Sequence, residues 1–149
     1  MEIRQIKADY PFDLLLEADP NRDLVTDYAE RGEVFQLQTE AGERIGVYIL
    51  LQTRPETSEI VNIAVEERQR GKGYAKQMIL DAKMRAGKSG SRTLEIGTGN
   101  SSIMQLALYQ RCGFRITHVE PDFFRKHYEE PIFENGLECR DMIRLQIDL

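Results

Sequence analysis

The alternation of apolar and polar residues at the start of the chain predicts a strand followed by a helix. Residues 2–8 alternate in the manner of a short strand. Asp19 or Asn21 then suits the N-cap of a helix, because short polar side chains accept hydrogen bonds from the first free amides of a helix. We expect this helix to run to about Arg31 and to stop at Gly32.

The next apolar runs predict an antiparallel pair and then a buried strand. Residues 33–38 and 44–52 have strand character, and the polar, glycine-containing residues 39–43 between them suit a hairpin turn. The run 59–65 is nearly continuously apolar, as expected for a strand that is covered on both faces. We therefore place residues 59–65 near the centre of a sheet.

The apolar residues that follow recur at helical spacing. They predict an amphipathic helix that starts near Gly73 and ends by Gly87 or Gly90. Its expected inward face consists of Ala75, Met78, Ile79, Ala82 and Ala86. A further strand is expected at residues 91–97, so a strand feeds this helix through a glycine-rich turn and another strand follows it.

The last third of the chain predicts a shorter helix and a closing pair of strands. Residues 100–102 precede the helix and Gly113 ends it, and its expected inward positions are Ile103, Leu106, Ala107 and Gln110. Residues 114–119 and 137–149 have strand character, whereas the connection 121–136 is too long for a simple hairpin. Together these elements predict a single α/β domain over residues 1–149, with a mixed sheet.

Composition narrows the class of protein. The 149 residues fit one domain, and 41% hydrophobic and 30% charged residues are typical of a soluble globular protein. The formal net charge of -5 provides no global basic field, so we expect no nucleic-acid partner. The N-terminal residues lack the apolar core of a signal peptide or membrane anchor, which favours a cytoplasmic location without a membrane partner.

The cysteines and histidines do not predict a metal site. Cys112 and Cys139 share no ligand spacing with each other, nor with His118 and His127. We expect two reduced thiols and no metal.

A glycine-rich turn carries the first chemical signal. The segment Arg68-Gln69-Arg70-Gly71-Lys72-Gly73-Tyr74-Ala75 lies between the buried strand and the amphipathic helix. Its glycines permit a tight turn, and the free amides and positive dipole end of the following helix favour an anion. Basic side chains add charge at the same place. A pyrophosphate fits this combination best, although a glycine pair alone also occurs in ordinary tight connections.

Two later segments turn this signal into a family resemblance. Asn100 and the segment Leu108-Tyr109-Gln110-Arg111-Cys112-Gly113-Phe114 follow the turn further along the chain. Residues 59–119 thereby resemble the GNAT superfamily of N-acetyltransferases in order, spacing and setting. The resemblance implies a mostly antiparallel central sheet with flanking helices, and transfer of an acetyl group from acetyl-CoA, as cosubstrate, to a primary amine. The tail 139–145 looks like that of small bacterial members.

The resemblance also implies which residues bind acetyl-CoA. The backbone of Ile63, Ala64 and Val65 pairs with the pantetheine arm as an added strand would. The pyrophosphate is wrapped by the amides of Arg70, Gly71, Lys72, Gly73, Tyr74 and Ala75. Arg68 stabilises the turn, and Asn100 holds the far side of the arm.

Tyr109 and Glu59 are the candidate catalytic residues. Tyr109 matches a tyrosine near the thioester sulfur in the superfamily, and a phenol of pKa about 10 can protonate a thiolate whose conjugate acid has a pKa of about 8.5. Glu59 opens the central strand, where the resemblance places a general base that deprotonates the amine. The alternatives are a buried structural tyrosine, and a structural carboxylate with water relaying the proton.

The aromatic and acidic stretch 121–136 predicts a site for the acceptor. Aromatic faces attract ammonium groups and carboxylates pair with them. Its candidate residues are Phe123, Phe124, Tyr128, Glu129 and Glu130. A small cationic amine, an aminoglycoside-like compound or a lysine side chain fits this composition. The same aromatic residues would also suit core covering or a homodimer contact.

Two other functions compete with acetyl transfer. Residues 94–100 look like the first motif of S-adenosylmethionine-dependent methyltransferases, but only about 50 residues follow, too few for the βαβ units of that fold. A non-catalytic acyl-CoA-binding module is the second alternative, and it would bind acyl-CoA without turnover.

Overall fold

A mixed sheet of seven strands organises the chain, and the computed structural model describes residues 1–149. The strands are β1 (Glu2–Ile6), β2 (Glu33–Gln38), β3 (Arg44–Arg54), β4 (Thr57–Val65), β5 (Thr93–Gly99), β6 (Arg115–Glu120), β7 (Ile132–Glu134), β8 (Leu137–Cys139) and β9 (Met142–Asp148). The main sheet has the order β1-β2-β3-β4-β5-β9-β6, and β7 pairs with β8 separately. Only the β4–β5 pairing in the main sheet is parallel. The predicted mixed, mostly antiparallel sheet is thus confirmed.

Helices cover both faces of this sheet. They are α1 (Phe12–Ala18), α2 (Arg22–Arg31), α3 (Tyr74–Lys88), α4 (Ile103–Arg111) and α5 (Phe123–His127). One core packs α3 and α4 against the sheet around Tyr48, Met78 and Ile79. A second core packs α1 and α2 on the other face around Leu14, Leu15 and Val25. None of the helices has the length and apolar character required to cross a lipid bilayer.

The N-terminal region contains one helix more than the pattern predicts. The expected helix is α2, and its cap is Asn21, whose side chain accepts a hydrogen bond from the Leu24 amide at 3.1 Å. The additional helix α1 is only one to two turns long and lies between two prolines. It forms because Leu14 and Leu15 are fully buried against the sheet, so tertiary packing stabilises a helix too short to be stable alone.

The expected face of α4 is wrong. Ile103 is exposed on this helix, Gln110 is also exposed, and Leu106 and Ala107 are only half-buried. The buried residue of this helix is Tyr109. The inward face of α3 is confirmed by the buried Met78, Ile79, Ala82 and Ala86, with Ala75 partly buried against the same core.

The closing strands differ from the prediction at one point. The antiparallel pair of β6 and β9 is confirmed, but residues 137–149 do not form one continuous strand. The chain leaves the strand conformation at Arg140 and Asp141, whose amides donate to the side-chain oxygen of Asn100 at 2.8 and 2.9 Å. This contact separates β8, which pairs with β7, from β9, which joins the main sheet between β5 and β6.

The central strand β4 opens a gap in the sheet. Its parallel pairing with β5 runs from Thr57 to Ile60 and goes no further. On the other side β4 stays paired with β3 up to Val65, with Val61 bulged out of the register between Ile60 and Asn62. The β5-facing edge of β4 is therefore unpaired beyond Ile60, in the middle of the molecule.

Candidate active site

A cleft of about 590 Å³ lies beside this gap. It is bounded by the end of β4, the glycine-rich turn, the start of α3 and one side of α4. The residues that line it are Glu17, Ala18, Ile63, Ala64, Val65, Gln69, Arg70, Gly71, Gly73, Tyr74, Ala75, Lys76, Met104, Gln105, Leu108, Tyr109, Arg111 and Glu134. The structure thus brings Tyr109 together with the strand end and most of the turn.

The turn presents a row of free backbone amides. Gly71 and Gly73 have φ angles of +76° and +85°, which side-chain-bearing residues rarely adopt, and open space surrounds both Cα atoms. The amides of residues 71–76 donate to no acceptor in the chain. They lie at the N-terminus of the 15-residue helix α3, where the dipole adds positive potential. This geometry suits a phosphate-type anion.

The basic side chains of the turn have different tasks. Arg70 donates from Nε to the Val65 carbonyl at 3.1 Å and from Nη2 to Glu17 at 3.0 Å, so it ties the turn to β4 and α1. Lys72 donates to the Gln69 side chain at 3.1 Å. Arg68 is exposed and makes no hydrogen bond within the chain. Stabilisation of the turn, expected from Arg68, comes from Arg70, and neither Arg68 nor Lys72 lines the cleft.

The Tyr109 hydroxyl is free to act in the cleft. The residue is 5% exposed, lines the cleft and has its ring 6.3 Å from that of Phe114. Its hydroxyl has no hydrogen-bond partner in the chain and is not sealed from solvent. Burial raises the pKa of Tyr109 well above its ordinary value, so the phenol stays protonated at neutral pH. A protonated phenol that no other group occupies can donate to a ligand.

Glu59 lies on the opposite face of β4 and outside the main cleft. Its Oε2 accepts a hydrogen bond from Arg144 Nη1 at 3.1 Å. Burial raises the pKa of the Glu59 carboxyl, and the neighbouring Arg144 guanidinium opposes that change. Its position is one residue before the end of β4–β5 pairing at Ile60. The gap therefore separates Tyr109 on one face from Glu59 on the other.

Asn100 has structural partners rather than a place in the cleft. Its side-chain nitrogen donates to the Glu138 carbonyl at 3.1 Å. Its side-chain oxygen accepts from the amides of Arg140 and Asp141. All these contacts hold the loop between β8 and β9 against the end of β5, and Asn100 does not line the cleft.

The predicted acceptor residues lie on two different surfaces. Phe123 and Phe124 pack edge to face within α5, with ring centroids 5.2 Å apart, and neither lines the main cleft or the second cleft described next. Tyr128, Glu129 and Glu130 line a second cleft of about 550 Å³. Its other lining residues are Pro20, Asn21, Arg22, Asp23, His127, Pro131 and Ile132.

The Tyr128 hydroxyl binds a residue that lies between the two clefts in the sequence. It donates to Asp19 Oδ1 at 2.7 Å, and Asp19 stands between Ala18 of the main cleft and Pro20 of the second cleft. Burial and the hydrogen bond to Asp19 raise the pKa of Tyr128 above its ordinary value. This side chain therefore remains a neutral donor to Asp19.

Several lining residues escaped prediction from the sequence. Met104, Leu108 and Arg111 lie four and three positions apart on α4, which places them on one side of the helix. The site residue predicted on this helix was their neighbour Tyr109. A shift of the assumed inward face would have revealed them. Glu17 and Glu134 come from α1 and β7, and no local pattern connects either to the turn.

The fold and this cleft define an acyltransferase whose acyl donor is a coenzyme A thioester. The sequence matches the acetyltransferase (GNAT) family over residues 2–114, and the chain therefore belongs to that family. It is an acetyltransferase whose cosubstrate is acetyl-CoA, as the resemblance predicts.

Three similar proteins support this assignment. The N-acetyltransferase YvbK of Bacillus subtilis is 56% identical over 150 residues, which cover 100% of this chain and 96% of that protein. A crystal structure of a B. subtilis acetyltransferase in complex with CoA has 55% identity and a TM-score of 0.95, covering 99% and 98% of the two chains. The structure of an IAA acetyltransferase from Bacillus cereus has 51% identity and a TM-score of 0.96, covering 99% of both chains.

The family excludes the methyltransferase alternative, and the structure supplies a physical reason. Residues 94–100 belong to β5 and the turn after it. A Cβ at Gly97 would lie 2.8 Å from Met142 Sδ, and one at Gly99 would collide with Cys139 Sγ. These glycines make room for side chains of β8 and β9, so they do not cradle a nucleotide.

Proposed function

We propose that this enzyme transfers the acetyl group of acetyl-CoA to a primary amine by direct attack within a ternary complex. The observation that carries the proposal is the row of free amides at residues 71–76 next to the open edge of β4. The amides suit the pyrophosphate. The strand edge suits the amide groups of the pantetheine arm, which can pair as an added strand does.

The cosubstrate contacts follow from these two features. Ile63, Ala64 and Val65 provide the edge, and the segment from Arg70 to Ala75 provides the amides. Arg68 and Lys72 contribute positive charge at the mouth of the turn. Asn100 acts indirectly, because it holds the loop between β8 and β9 at the end of the gap.

The chemistry requires one group on each side of the gap. An alkylammonium acceptor has a pKa of about 10 and must lose a proton before it attacks. Glu59 accepts this proton, directly or through water. The amine nitrogen then bonds to the thioester carbonyl carbon, the C–S bond breaks, and its electron pair passes to sulfur. Tyr109 protonates the sulfur, and the second proton of the amine restores the phenol as the amide forms.

The acceptor fits best as a cation in the second cleft. Asp23, Glu129 and Glu130 line this cleft together with Arg22 and His127, so carboxylates are in excess when histidine is neutral. Carboxylates attract an ammonium group and help to orient it. A small cationic amine, an aminoglycoside-like compound or a lysine side chain carries the necessary charge. The second cleft would then hold a charge other than the reacting amine, such as a further ammonium group of the acceptor or a basic residue beside the lysine, and the Tyr128–Asp19 contact would lie between the two.

A panel of acceptors tests the proposal. Purified enzyme and acetyl-CoA are incubated with polyamines, aminoglycosides and lysine-containing peptides, and free CoA thiol is measured against a reaction without acceptor. IAA belongs in the panel because the B. cereus relative is described as an IAA acetyltransferase. We expect CoA release to depend on a cationic primary amine.

Two results would contradict the proposal in different ways. Turnover with IAA but with none of the cationic amines would show that the acceptor is not a cation. Tight acetyl-CoA binding by calorimetry without release of CoA for any acceptor would instead support the acyl-CoA-binding module.

A further inference from the structure

We infer that Arg144 is a positioning residue, which reaches Glu59 across β5 through the space left at Gly97 and orients its carboxylate toward the acceptor. The inference rests on the proposed role of Glu59 as the base. It concerns a residue of β9, two strands away from β4 in the sheet. Its basis is the path of one side chain and the groups at its two ends.

The path of Arg144 requires a glycine in the intervening strand. Arg144 is the register partner of Gly97, and its side chain crosses over that residue toward β4. A Cβ at Gly97 would lie 3.2 Å from Arg144 Nη1 and 3.6 Å from its Cδ. Beyond this point Nη1 donates to Glu59 Oε2 at 3.1 Å. A Cβ at position 97 would also lie 2.8 Å from Met142 Sδ, so a side chain there would crowd both Met142 and the guanidinium that contacts Glu59.

A second carboxylate fixes the guanidinium from the other side. Arg144 Nε donates to Glu120 Oε1 at 3.2 Å, and Glu120 belongs to β6 at the edge of the sheet. The planar guanidinium has a rigid set of donors, so two carboxylates on different strands determine its orientation. Arg144 and Glu59 are 22% and 17% exposed in their side chains, which limits screening by solvent.

This arrangement leaves one oxygen of Glu59 available. Oε2 is occupied by Arg144, whereas Oε1 accepts no hydrogen bond from the chain. A carboxylate held at one oxygen can present the other in a defined direction to an ammonium group or a bridging water. Arg144 thus acts on the reaction through Glu59 rather than by contact with the acetyl group.

The charges around Glu59 make Arg144 difficult to replace. Glu95 on β5 is the register partner of Glu59, Glu120 approaches Glu59 from β6, and Tyr28 faces Glu59 from α2. Arg144 is the cation of this group that contacts Glu59, while Arg54 pairs with Glu95 at 3.3 Å and His118 lies 3.8 Å from Glu120. Without Arg144, two carboxylates would disfavour ionisation of the buried Glu59.

The decisive variant is Arg144→Gln, with Arg31→Gln as the matched control. Removal of the cation favours protonated Glu59, so the acidic limb of kcat/KM should move to higher pH. A movement of about one unit gives roughly a tenfold loss of kcat/KM on that limb. Arg31→Gln removes the same charge from the exposed Arg31–Asp27 pair on α2 and should leave the profile in place. Arg144→Lys retains the positive charge but lacks the planar guanidinium, and the acidic limb of its kcat/KM profile should lie close to that of the parent enzyme.

Two further measurements separate positioning from a structural role. Gly97→Ala should move the pH profile in the same direction with Arg144 still present, because its Cβ would crowd the guanidinium as well as Met142 Sδ. In a Glu59→Gln background, Arg144→Gln should no longer change the profile. Thermal unfolding of each variant verifies that it is folded, and titration of the Glu59 carboxyl carbon by NMR follows that group without turnover.

The outcomes distinguish this inference from the proposed function. If Glu59 titrates at the same pH in the folded Arg144→Gln variant as in the parent, and the kcat/KM profile of that variant coincides with that of Arg31→Gln, the inference is wrong. If Glu59→Gln alone retains the full rate at every pH, Glu59 is not the base and the role of Arg144 has no basis, whereas acetyl transfer itself stands.

Discussion

Burial has opposite consequences for the two proposed catalytic residues. It raises the pKa of Tyr109 and of Glu59, because each charged form is poorly solvated. For the tyrosine this keeps the proton in place and leaves a neutral donor. For the glutamate, burial makes the carboxylate a stronger base. A neighbouring cation, here Arg144, is then needed to keep the carboxyl group ionised.

Replacement of Tyr109 tests the donor. We expect Tyr109→Phe to lower kcat by roughly ten- to a thousandfold, the range of general acid catalysis. The other phenol that lines the cleft, Tyr74, lies in the glycine-rich turn at the start of α3. The dissociation constant of acetyl-CoA should change little, since the ring remains. Pre-steady-state release of CoA and calorimetry measure the two quantities, with Tyr10→Phe as a control on the surface of the α1 side. Equal rates in both variants would reduce Tyr109 to packing.

Replacement of Glu59 tests the base through its pH dependence. In the parent enzyme, Glu59 can remove a proton from the acceptor only when its carboxyl group is ionised. This step increases the rate only at pH values at which the free amine is still protonated. The ratio of parent to Glu59→Gln rates should therefore be largest above the raised pKa of Glu59 and below the amine pKa of about 10. It should fall toward either end of this window. A ratio that stays constant from pH 6 to pH 10 would argue for a structural carboxylate.

At the scale of elements, the site depends on a strand that changes partners. The bulge at Val61 follows the last β4–β5 pair, at Ile60, so the irregularity and the gap coincide. A bulge increases local twist and redirects the strand, which allows β4 to keep β3 while it parts from β5. The freed edge then leads directly into the turn held by Arg70.

Replacement of Gly73 tests the anion site in this turn. The Gly73→Val side chain would occupy the open space in front of the free amides, so acetyl-CoA affinity should fall by at least about tenfold, equivalent to about 1.4 kcal/mol. Gly42→Val is the matched control, because Gly42 has a similar φ of +86° and open surroundings far from the cleft. Both variants carry similar backbone strain. Calorimetry that shows equal affinity for both would move the pyrophosphate elsewhere.

At the scale of the whole molecule, prediction from the sequence succeeds where a pattern is local. The continuous apolar run 59–65 identified the central strand, and Gly71 and Gly73 identified the turn that α3 follows. Contacts between distant segments were not accessible. Asn100 breaks the closing strand by binding Arg140 and Asp141, 40 residues away, and α1 forms only because the second core covers it. The separation of Tyr109 and Glu59 by the gap likewise required the strand order.

The acidic pair Glu129 and Glu130 allows a test between an acceptor site and a contact between two copies of the chain. Both residues are exposed and line the second cleft, so their charges are available to a cation. Substitution of both by Gln should raise the acceptor KM by roughly tenfold if about 1.4 kcal/mol of charge pairing is lost, while the acetyl-CoA KM stays unchanged. The control, Glu40→Gln with Glu43→Gln, removes the same charge from the exposed β2–β3 turn. Sedimentation of both double variants is measured in parallel. An altered sedimentation coefficient of the Glu129 and Glu130 variant, with no change in acceptor KM, would make residues 121–136 an interface and remove the argument for a cationic acceptor.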